Sequence, residues 1–366
     1  MRTLIVAGGS GGHIFPAIAL ARTLKKKMPG LEIKFVGSDK ELDRRIFEKE
    51  GFGFSLLSAN KLPQKLSFGC VKFFIKLKLD FLKSISIILL YRPSVVAGFG
   101  GYVSFPVAVA ARLLRIPVLM HEQNVRPGRA NGLLFGMAKR IAVSFEETRK
   151  LLPEREAQKC VLTGNPIRAD VLRDDREAAV RKFGLDGNKS TILIIGGSQG
   201  AHSLNEIFIK ALGLFDAEAR KSIQIIHLTG IKDYEWAIKE YPPLGIEHRV
   251  YSFIDRIGEA YSASDLVVTR SGASAIFELA HFGKPMILVP YRYALSHQAG
   301  NASAFAGKGA AVVVSEDKLT AEKFHELLSG LLNDKAKLKE LAQNAKRMSM
   351  PEASEMLAKE VLKLIC

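Results

Sequence analysis

Short apolar runs alternate with longer amphipathic stretches along the whole chain. This alternation is typical of parallel sheets whose strands are joined by crossover helices. The pattern predicts the α/β class, with doubly wound parallel sheets. The predicted strands lie at residues 3–7, 32–36, 95–97, 118–120, 141–143, 192–195, 223–228, 249–253, 266–269, 286–289 and 311–314.

Both halves of the chain begin with the same pattern. Residues 4–13, LIVAGGSGGH, resemble residues 193–202, LIIGGSQGAH. Each segment predicts a strand, a glycine turn and the start of a helix. We therefore expect two doubly wound, Rossmann-like domains that face one another across a cleft.

A length of 366 residues exceeds the usual size of one hydrophobic core. The turn-rich sequence TGNP at 163–166 marks the predicted divide. The predicted domains are 1–163 and 164–345. A C-terminal helix within 346–366 is expected to pack back across the domains, and the sequence does not decide onto which of them.

Three glycine-rich segments follow predicted strands, at residues 8–12, 98–104 and 196–200. Glycine lets backbone amides approach a phosphate closely, and a following helix N-terminus adds partial positive charge. A single loop of this kind is equally explained by a tight turn. Three of them favour recognition of polyphosphates.

Other nucleotide motifs match poorly. The nicotinamide fingerprint GxGxxG needs glycine where Ile14 stands, although Asp39 follows the second strand as a ribose-binding acid would. A Walker A sequence and a metal-binding Asp-x-Asp motif are both missing from the sequence. The charge of a leaving diphosphate must then be met by amides, helix dipoles and arginine.

The net charge, the cysteine content and the length of the apolar runs restrict the kinds of partner and the cellular compartment that we expect. Fifty-three Lys and Arg against 37 Asp and Glu give a formal charge of +16, which favours polyanions. No recognition helix, aromatic RNP-like strand or zinc pattern accompanies that charge, so we predict no nucleic-acid partner. Three dispersed cysteines favour a reducing cytosol. The longest apolar run, 87–91, is too short to span a bilayer.

A series of short motifs occurs in a fixed order along the chain. They are GGSGGH (8–13), GGYVS (100–104), HEQN (121–124), GNPIR (164–168), GGSQGA (196–201), RSGA (270–273) with Glu278, and Gln298 with Asn301 and Ala302. Together they resemble the MurG family of glycosyltransferases. These enzymes move N-acetylglucosamine from UDP-N-acetylglucosamine to undecaprenyl-diphosphoryl-N-acetylmuramoyl-pentapeptide in peptidoglycan synthesis. The match runs from about residue 3 to residue 302.

The resemblance implies the GT-B fold, with the acceptor side N-terminal and the nucleotide-sugar side C-terminal. It implies inverting transfer without a bound metal or other cofactor. The implied partners are UDP-N-acetylglucosamine, the undecaprenyl-diphosphate-linked acceptor and an anionic membrane surface, with the protein peripheral on the cytoplasmic face of the cell membrane.

The resemblance also implies which residues contact the donor. They are Ser10, Gly11, Gly12, Asn124, Arg168, Ser198, Ile254, Ala273, Ser274, Ala275, Ile276, Phe277, Glu278 and Gln298. Two positions depart from the family pattern. Ser10 stands where Thr is usual, which keeps the hydroxyl, and His297 stands where a second Gln is common.

Two residues are candidates for the catalytic base. His13 is predicted at the N-terminus of the first helix, where it would accept the proton of the acceptor hydroxyl or donate to a diphosphate. Glu122 is the competing base, and we rank His13 first.

Three polar residues of the second half are candidates for the donor sugar. Glu278 is expected to accept hydrogen bonds from the ribose hydroxyls, and its alternative is a solvated helix glutamate. Gln298 and Asn301 lie on one face of a predicted helix and suit sugar hydroxyls. For Asn301, capping or turn formation is an equal alternative.

Residues 65–90 predict a helix with two apolar strips. One strip is assigned to the core and comprises Phe74, Leu77, Phe81, Ile85 and Ile88. The second strip is assigned to membrane docking, with Phe68, Ile75 and Leu79 beside Lys65, Lys72, Lys76 and Lys83. An apolar ridge flanked by lysines suits an anionic lipid interface. The alternative for this segment is an ordinary half-buried helix.

Two alternatives remain for the function of the whole chain. One is another GT-B transferase with a different lipid acceptor, and the other is a nicotinamide oxidoreductase.

Overall fold

The computed structural model describes residues 1–59, 68–169, 171–172, 175–196, 201–291 and 297–365, with the side chains of residues 68 and 69 excepted. The chain forms two compact units. The first comprises Met1–Arg168 together with Met350–Cys366, and the second comprises Ala169–Ser349. Each unit is built around one parallel sheet.

The first sheet has the strand order β3-β2-β1-β4-β5-β6-β7. Its strands are β1 (Arg2–Val6), β2 (Glu32–Ser38), β3 (Gly53–Leu57), β4 (Val95–Gly98), β5 (Val118–Glu122), β6 (Arg140–Val143) and β7 (Cys160–Leu162). The helices of this unit are α1 (Gly11–Lys27), α2 (Glu41–Glu50), α3 (Phe68–Tyr91), α4 (Ser104–Leu113), α5 (Arg129–Phe135), α6 (Glu146–Lys150), α7 (Glu154–Ala157) and α17 (Ala353–Leu362).

Both faces of this sheet are covered, which explains why its inner strands are apolar at consecutive positions. Alternate residues of β1 point to opposite sides. Ile5 packs with Leu20 of α1 on one face, and Leu4 packs with Val107 of α4 on the other. Val361 of the C-terminal helix α17 joins the Ile5 face, so the end of the chain packs on the first unit.

The second sheet has the order β10-β9-β8-β11-β12-β13. Its strands are β8 (Ser190–Ile195), β9 (Ile223–Leu228), β10 (Glu247–Tyr251), β11 (Leu266–Thr269), β12 (Met286–Leu288) and β13 (Val312–Val313). Its helices are α8 (Arg176–Phe183), α9 (His202–Leu212), α10 (Ala217–Ser222), α11 (Tyr234–Glu240), α12 (Ile257–Ala263), α13 (Ala273–Phe282), α14 (His297–Ala306), α15 (Ala321–Asn333) and α16 (Lys335–Arg347). Ile194, Val268 and Ile287 of the central strands meet Phe208 and Phe324 in its core.

All the predicted strands are present, and the α/β class with doubly wound parallel sheets is confirmed. The strand predicted at 249–253 lies two residues earlier, at Glu247–Tyr251. The prediction missed β3 and β7, the two edge strands of the first sheet. Both are short and only partly buried, so they lack the continuous apolar run that marks a central strand.

The long helix is confirmed as α3, and residues 60–67 lie outside the described part of the chain. The assignment of Phe74 to the core is wrong, because this side chain is 62% exposed. The core-facing strip is centred instead on Asp80, Ser84 and Ile87, all of them buried. Asp80 accepts hydrogen bonds from the backbone N–H groups of residues 58 and 59 at 2.9 and 3.0 Å. A polar anchor therefore sets the rotation of this helix, which apolar periodicity alone does not reveal.

Candidate active site

The switch point of the first sheet lies between β1 and β4, where the order of strand addition reverses. Ligands of doubly wound sheets bind beyond the carboxyl ends of the strands at this point. The two glycine loops of the first unit, residues 8–12 and 98–104, follow β1 and β4. A Cβ atom on Gly101 would lie only 2.6 Å from the carbonyl oxygen of Gly8. The loops thus touch through backbone that a larger residue would separate.

His13 is the third residue of α1, which confirms its predicted place at the start of the first helix. Its Nδ1 lies 3.2 Å from the Gly8 carbonyl oxygen and 3.3 Å from Ser10 Oγ. A carbonyl oxygen only accepts hydrogen bonds, so Nδ1 carries the proton of the neutral ring and donates it to Gly8. The lone pair is then on Nε2, which lies 3.3 Å from the position of a Cβ on Gly100.

Glu122 is the last residue of β5, and its side chain is buried. Its Oε1 accepts from the backbone N–H and the side-chain Nδ2 of Asn124, at 3.0 and 3.1 Å. Its Oε2 accepts from Asn131 Nδ2 at 2.8 Å and from the Gly128 N–H at 3.2 Å. Four donors match the four acceptor positions of a carboxylate, so Glu122 organises the segment that follows β5.

His121, beside it, points to the end of the first unit. Its Nε2 donates to the Gly164 carbonyl oxygen at 3.1 Å, and its Nδ1 accepts from Gln123 Nε2 at 3.2 Å. Burial lowers the pKa of His121 to about 4, so the ring is neutral at neutral pH. His121 therefore ties β5 to the turn that precedes Arg168.

Arg168 packs against the first helix. Its guanidinium lies 4.1 Å from the ring centroid of Phe15, two residues after His13. The same ring would lie 2.9 Å from a Cβ on Gly11. Arg168 is thus held next to the first glycine loop by a cation–π contact.

The switch point of the second sheet lies between β8 and β11. Helix α13 begins at Ala273, with Gly272 at the N-cap, which confirms the helix start predicted at 271–274. Ser271 is buried between β11 and this helix, and its Oγ donates to the Gln298 carbonyl oxygen at 2.8 Å. Asn301 Nδ2 donates to the Ser271 carbonyl oxygen at 3.1 Å. Helix α14 is therefore fastened to the start of α13, with Asn301 in a bridging role.

Glu278 is only 8% exposed, so it is not a solvated helix residue. Its Oε2 accepts a hydrogen bond of 2.9 Å from the hydroxyl of Tyr261 on α12. This contact fixes the orientation of the carboxylate one turn beyond the start of α13. Gln298 Oε1 accepts from the backbone N–H of Tyr291 at 2.8 Å.

Arg270 follows β11 and is 6% exposed. Its guanidinium donates to the Val289 carbonyl oxygen at 3.1 Å and to Glu316 Oε1 at 2.6 Å. The same Glu316 oxygen accepts from Ser203 Oγ near the start of α9. Arg270 and Glu316 thus join the segments that follow β11 and β12 to the start of α9.

Comparison with known proteins finds relatives that match almost the whole length of this chain. The glycosyltransferase family 28 N-terminal domain matches residues 3–143, and the glycosyltransferase family 28 C-terminal domain matches residues 191–357. The UDP-N-acetylglucosamine–N-acetylmuramyl-(pentapeptide) pyrophosphoryl-undecaprenol N-acetylglucosamine transferase of Halothermothrix orenii is 38% identical, over 98% of this chain and 97% of that protein. Its counterpart in Flavobacterium psychrophilum is 38% identical over 99% and 97%. The crystal structure of MurG from Acinetobacter baumannii aligns with a TM-score of 0.78 and 27% identity, covering 99% of this chain and all of that one.

The chain belongs to the MurG family. The MurG resemblance and the GT-B fold expected from the motifs are thereby confirmed. Among the donor residues that the MurG pattern assigns, Ser10, Gly11, Gly12, Asn124 and Arg168 lie at the carboxyl edge of the first sheet or on the segments described above. In the second unit, Ala273–Glu278 form the first turns of α13, Gln298 is on α14, and Ile254 is partly buried after β10. Ser198 lies outside the described residues.

Sequence reasoning overlooked several partners of these MurG residues. Asp43, Tyr261 and Glu316 hold Gly9, Glu278 and Arg270 respectively. Asp43 had no distinguishing signal, because an acid in the first turn of a helix is common. Arg270 did have a signal, since it opens the RSGA motif, but its partner lies 46 residues away.

Proposed function

We propose that this chain transfers N-acetylglucosamine from UDP-N-acetylglucosamine to the 4-hydroxyl of the N-acetylmuramoyl unit in undecaprenyl-diphosphoryl-N-acetylmuramoyl-pentapeptide, with inversion. The chain is similar over nearly its full length to transferases that are named for these two substrates, which supports this choice of donor and acceptor. The orientation of His13 supports its role as the catalytic base. Its Nδ1 donates a hydrogen bond to the Gly8 carbonyl oxygen, which leaves Nε2 as the basic nitrogen.

In the proposed reaction the acceptor hydroxyl oxygen forms a bond to the anomeric carbon as the bond from that carbon to the UDP oxygen breaks. The hydroxyl proton passes to His13 Nε2, and UDP leaves with the bonding electron pair. Amides at the start of α13 and the Arg168 guanidinium stabilise the diphosphate charge. Glu278, oriented by Tyr261, accepts hydrogen bonds from the ribose hydroxyls.

The contacts of Glu122 favour His13 as the base. A carboxylate that already accepts four hydrogen bonds would have to give one up before it took a proton. We assign Glu122 to holding Asn124 in place for the donor.

The test of this function is transfer of labelled N-acetylglucosamine from its UDP form to membranes that supply the lipid acceptor. We expect label in a lipid-extractable product, and none when the membranes lack the acceptor. UDP-N-acetylglucosamine should also protect the purified chain against heat. Protection by NADH or duplex DNA, without protection by the UDP-sugar, would contradict the proposal and support an oxidoreductase or a nucleic-acid-binding protein.

We also propose that α3 docks the protein on the cytoplasmic face of the membrane. Among the residues that the structure describes, no helix combines the length and apolar character needed to cross a bilayer. The exposed side of α3 is nonetheless apolar, with Val71, Phe74, Ile75, Leu79, Leu82 and Leu89. Lys72 and Lys83 are exposed beside it and Lys76 is partly buried, while Phe68 is the first residue of the helix. This arrangement suits acyl chains beneath anionic headgroups.

We predict that substitutions on the exposed side of α3 weaken the binding of the protein to vesicles. Ile75→Gln should weaken co-sedimentation with anionic vesicles roughly tenfold, because an exposed apolar side chain no longer enters the interface. Lys72→Gln should weaken it by about fivefold on anionic vesicles and leave neutral vesicles unaffected. Ile231→Gln is the matched control, since Ile231 is 83% exposed but lies in the second unit. Equal loss in the Ile75 and Ile231 variants, or equal binding of the unchanged protein to neutral and anionic vesicles, would rule out α3 as the docking element.

A further inference from the structure

The peptide unit between Gly8 and Gly9 is hydrogen-bonded at both ends. Its N–H, on Gly9, donates to the two carboxylate oxygens of Asp43 at 3.0 and 3.2 Å. Its carbonyl oxygen, on Gly8, accepts from His13 Nδ1 at 3.2 Å. One planar, conjugated group therefore connects a carboxylate to the imidazole.

Asp43 is held rigidly for this role. It is the third residue of α2, and its side chain is fully buried. Its Oδ2 also accepts from the backbone N–H of Ser38 at 2.8 Å and from Ser38 Oγ at 2.7 Å. Lys40 Nζ donates to the Gly9 carbonyl oxygen at 3.2 Å. The carboxylate is thus stabilised by neutral donors and by the start of α2, and it is not neutralised by a direct ion pair in the described structure.

Sterics keep the peptide in this position. A Cβ atom on Gly8 would lie 2.6 Å from Asp43 Oδ2 and 2.8 Å from the Ser38 nitrogen. On the opposite side, Gly101 leaves room for the Gly8 carbonyl oxygen. Two glycines are therefore needed to let a carboxylate and a second loop close on the same peptide.

We infer that Asp43 is a positioning residue for His13, acting through the Gly8–Gly9 peptide to keep the proton on Nδ1 and the lone pair on Nε2. The carboxylate polarises the peptide, which makes the Gly8 carbonyl a stronger acceptor for Nδ1–H. The same polarisation stabilises the imidazolium that forms when Nε2 takes the acceptor proton. The catalytic consequence rests on the proposed role of His13 as base, whereas the effect on the imidazole tautomer does not.

The test compares Asp43→Asn with Asp39→Asn, which removes the same charge from an exposed position four residues earlier. Asp43→Asn should lower kcat roughly 10- to 100-fold and change KM for UDP-N-acetylglucosamine by less than about threefold. In ¹⁵N spectra of the ring, the unchanged protein should hold His13 as the Nδ1–H tautomer, and Asp43→Asn should produce a mixture. Asp39→Asn should match the unchanged protein in both respects. The chain has eight histidines, so a His13→Asn spectrum assigns the signal.

The outcomes distinguish the role of His13 as the base from its positioning by Asp43. A wild-type kcat and an unchanged tautomer in Asp43→Asn would overturn the inference. If the tautomer changes in Asp43→Asn but His13→Asn keeps full turnover, the base assignment fails and the positioning by Asp43 stands. If Asp43→Asn does not fold, the unchanged protein still decides. An Nε2–H tautomer at His13, or a Gly9 amide proton that exchanges as fast as an exposed one, overturns the inference.

Discussion

Replacing His13 by Asn is expected to lower kcat by roughly two to four orders of magnitude, with little change in KM for UDP-N-acetylglucosamine. Asn retains an N–H donor at the position of Nδ1, so the hydrogen bond to the Gly8 carbonyl oxygen can be kept. It has no atom at the position of Nε2. The variant therefore separates the architecture of the glycine loop from the proton transfer.

His13→Gln provides the complementary variant, because its amide reaches the position of Nε2 but gives up the contact of Nδ1. Both variants should bind UDP-N-acetylglucosamine and show the same heat protection as the unchanged protein. Turnover within about twofold of the unchanged protein in His13→Asn would remove His13 from the mechanism. Loss of UDP-N-acetylglucosamine binding together with turnover would assign His13 to donor contact.

The second large effect is expected at Arg270 in the other unit. Arg270→Met should destabilise the second unit by roughly 3–5 kcal/mol, because the buried Glu316 carboxylate would lose its ion pair with Arg270. It should also weaken UDP-N-acetylglucosamine binding, since Arg270 joins the segment before α13 to the start of α9. Urea unfolding and titration with the nucleotide sugar measure the two effects.

The control is Arg256→Met, which breaks the pair with Glu259 in the same unit. That arginine side chain is 68% exposed and the pair spans 3.8 Å, so the cost should stay below about 1 kcal/mol. The double variant Arg270→Met with Glu316→Gln should recover much of the lost stability, because the charge of the buried Glu316 side chain is removed together with that of Arg270. An equal loss of stability in Arg270→Met and Arg256→Met would show that the buried Arg270–Glu316 pair stabilises the protein no more than an exposed pair does.

The central strands and the helix starts were predictable because they depend on neighbours in sequence. A strand covered on both faces must be apolar at consecutive positions, and a glycine turn before an amphipathic stretch marks the start of a helix. These rules place His13 on α1 and residues 273–278 on α13 from the sequence alone. Edge strands β3 and β7 escape the first rule because they are short and most of their residues are only partly buried.

The amino-acid sequence alone was enough to predict the class of fold, the two glycine loops of the first unit and the family, because each depends on composition or on motifs of a few adjacent residues. The contacts that hold Gly9 and Arg270 could not be predicted in this way, because they join residues far apart in the chain. The link from Asp43 to Gly9 spans 34 residues and the link from Arg270 to Glu316 spans 46. Hydrogen bonds between such distant residues leave no periodic trace in the sequence. The orientation of His13, the burial of Arg270 and the rotation of α3 about Asp80 therefore become visible only when the chain is folded.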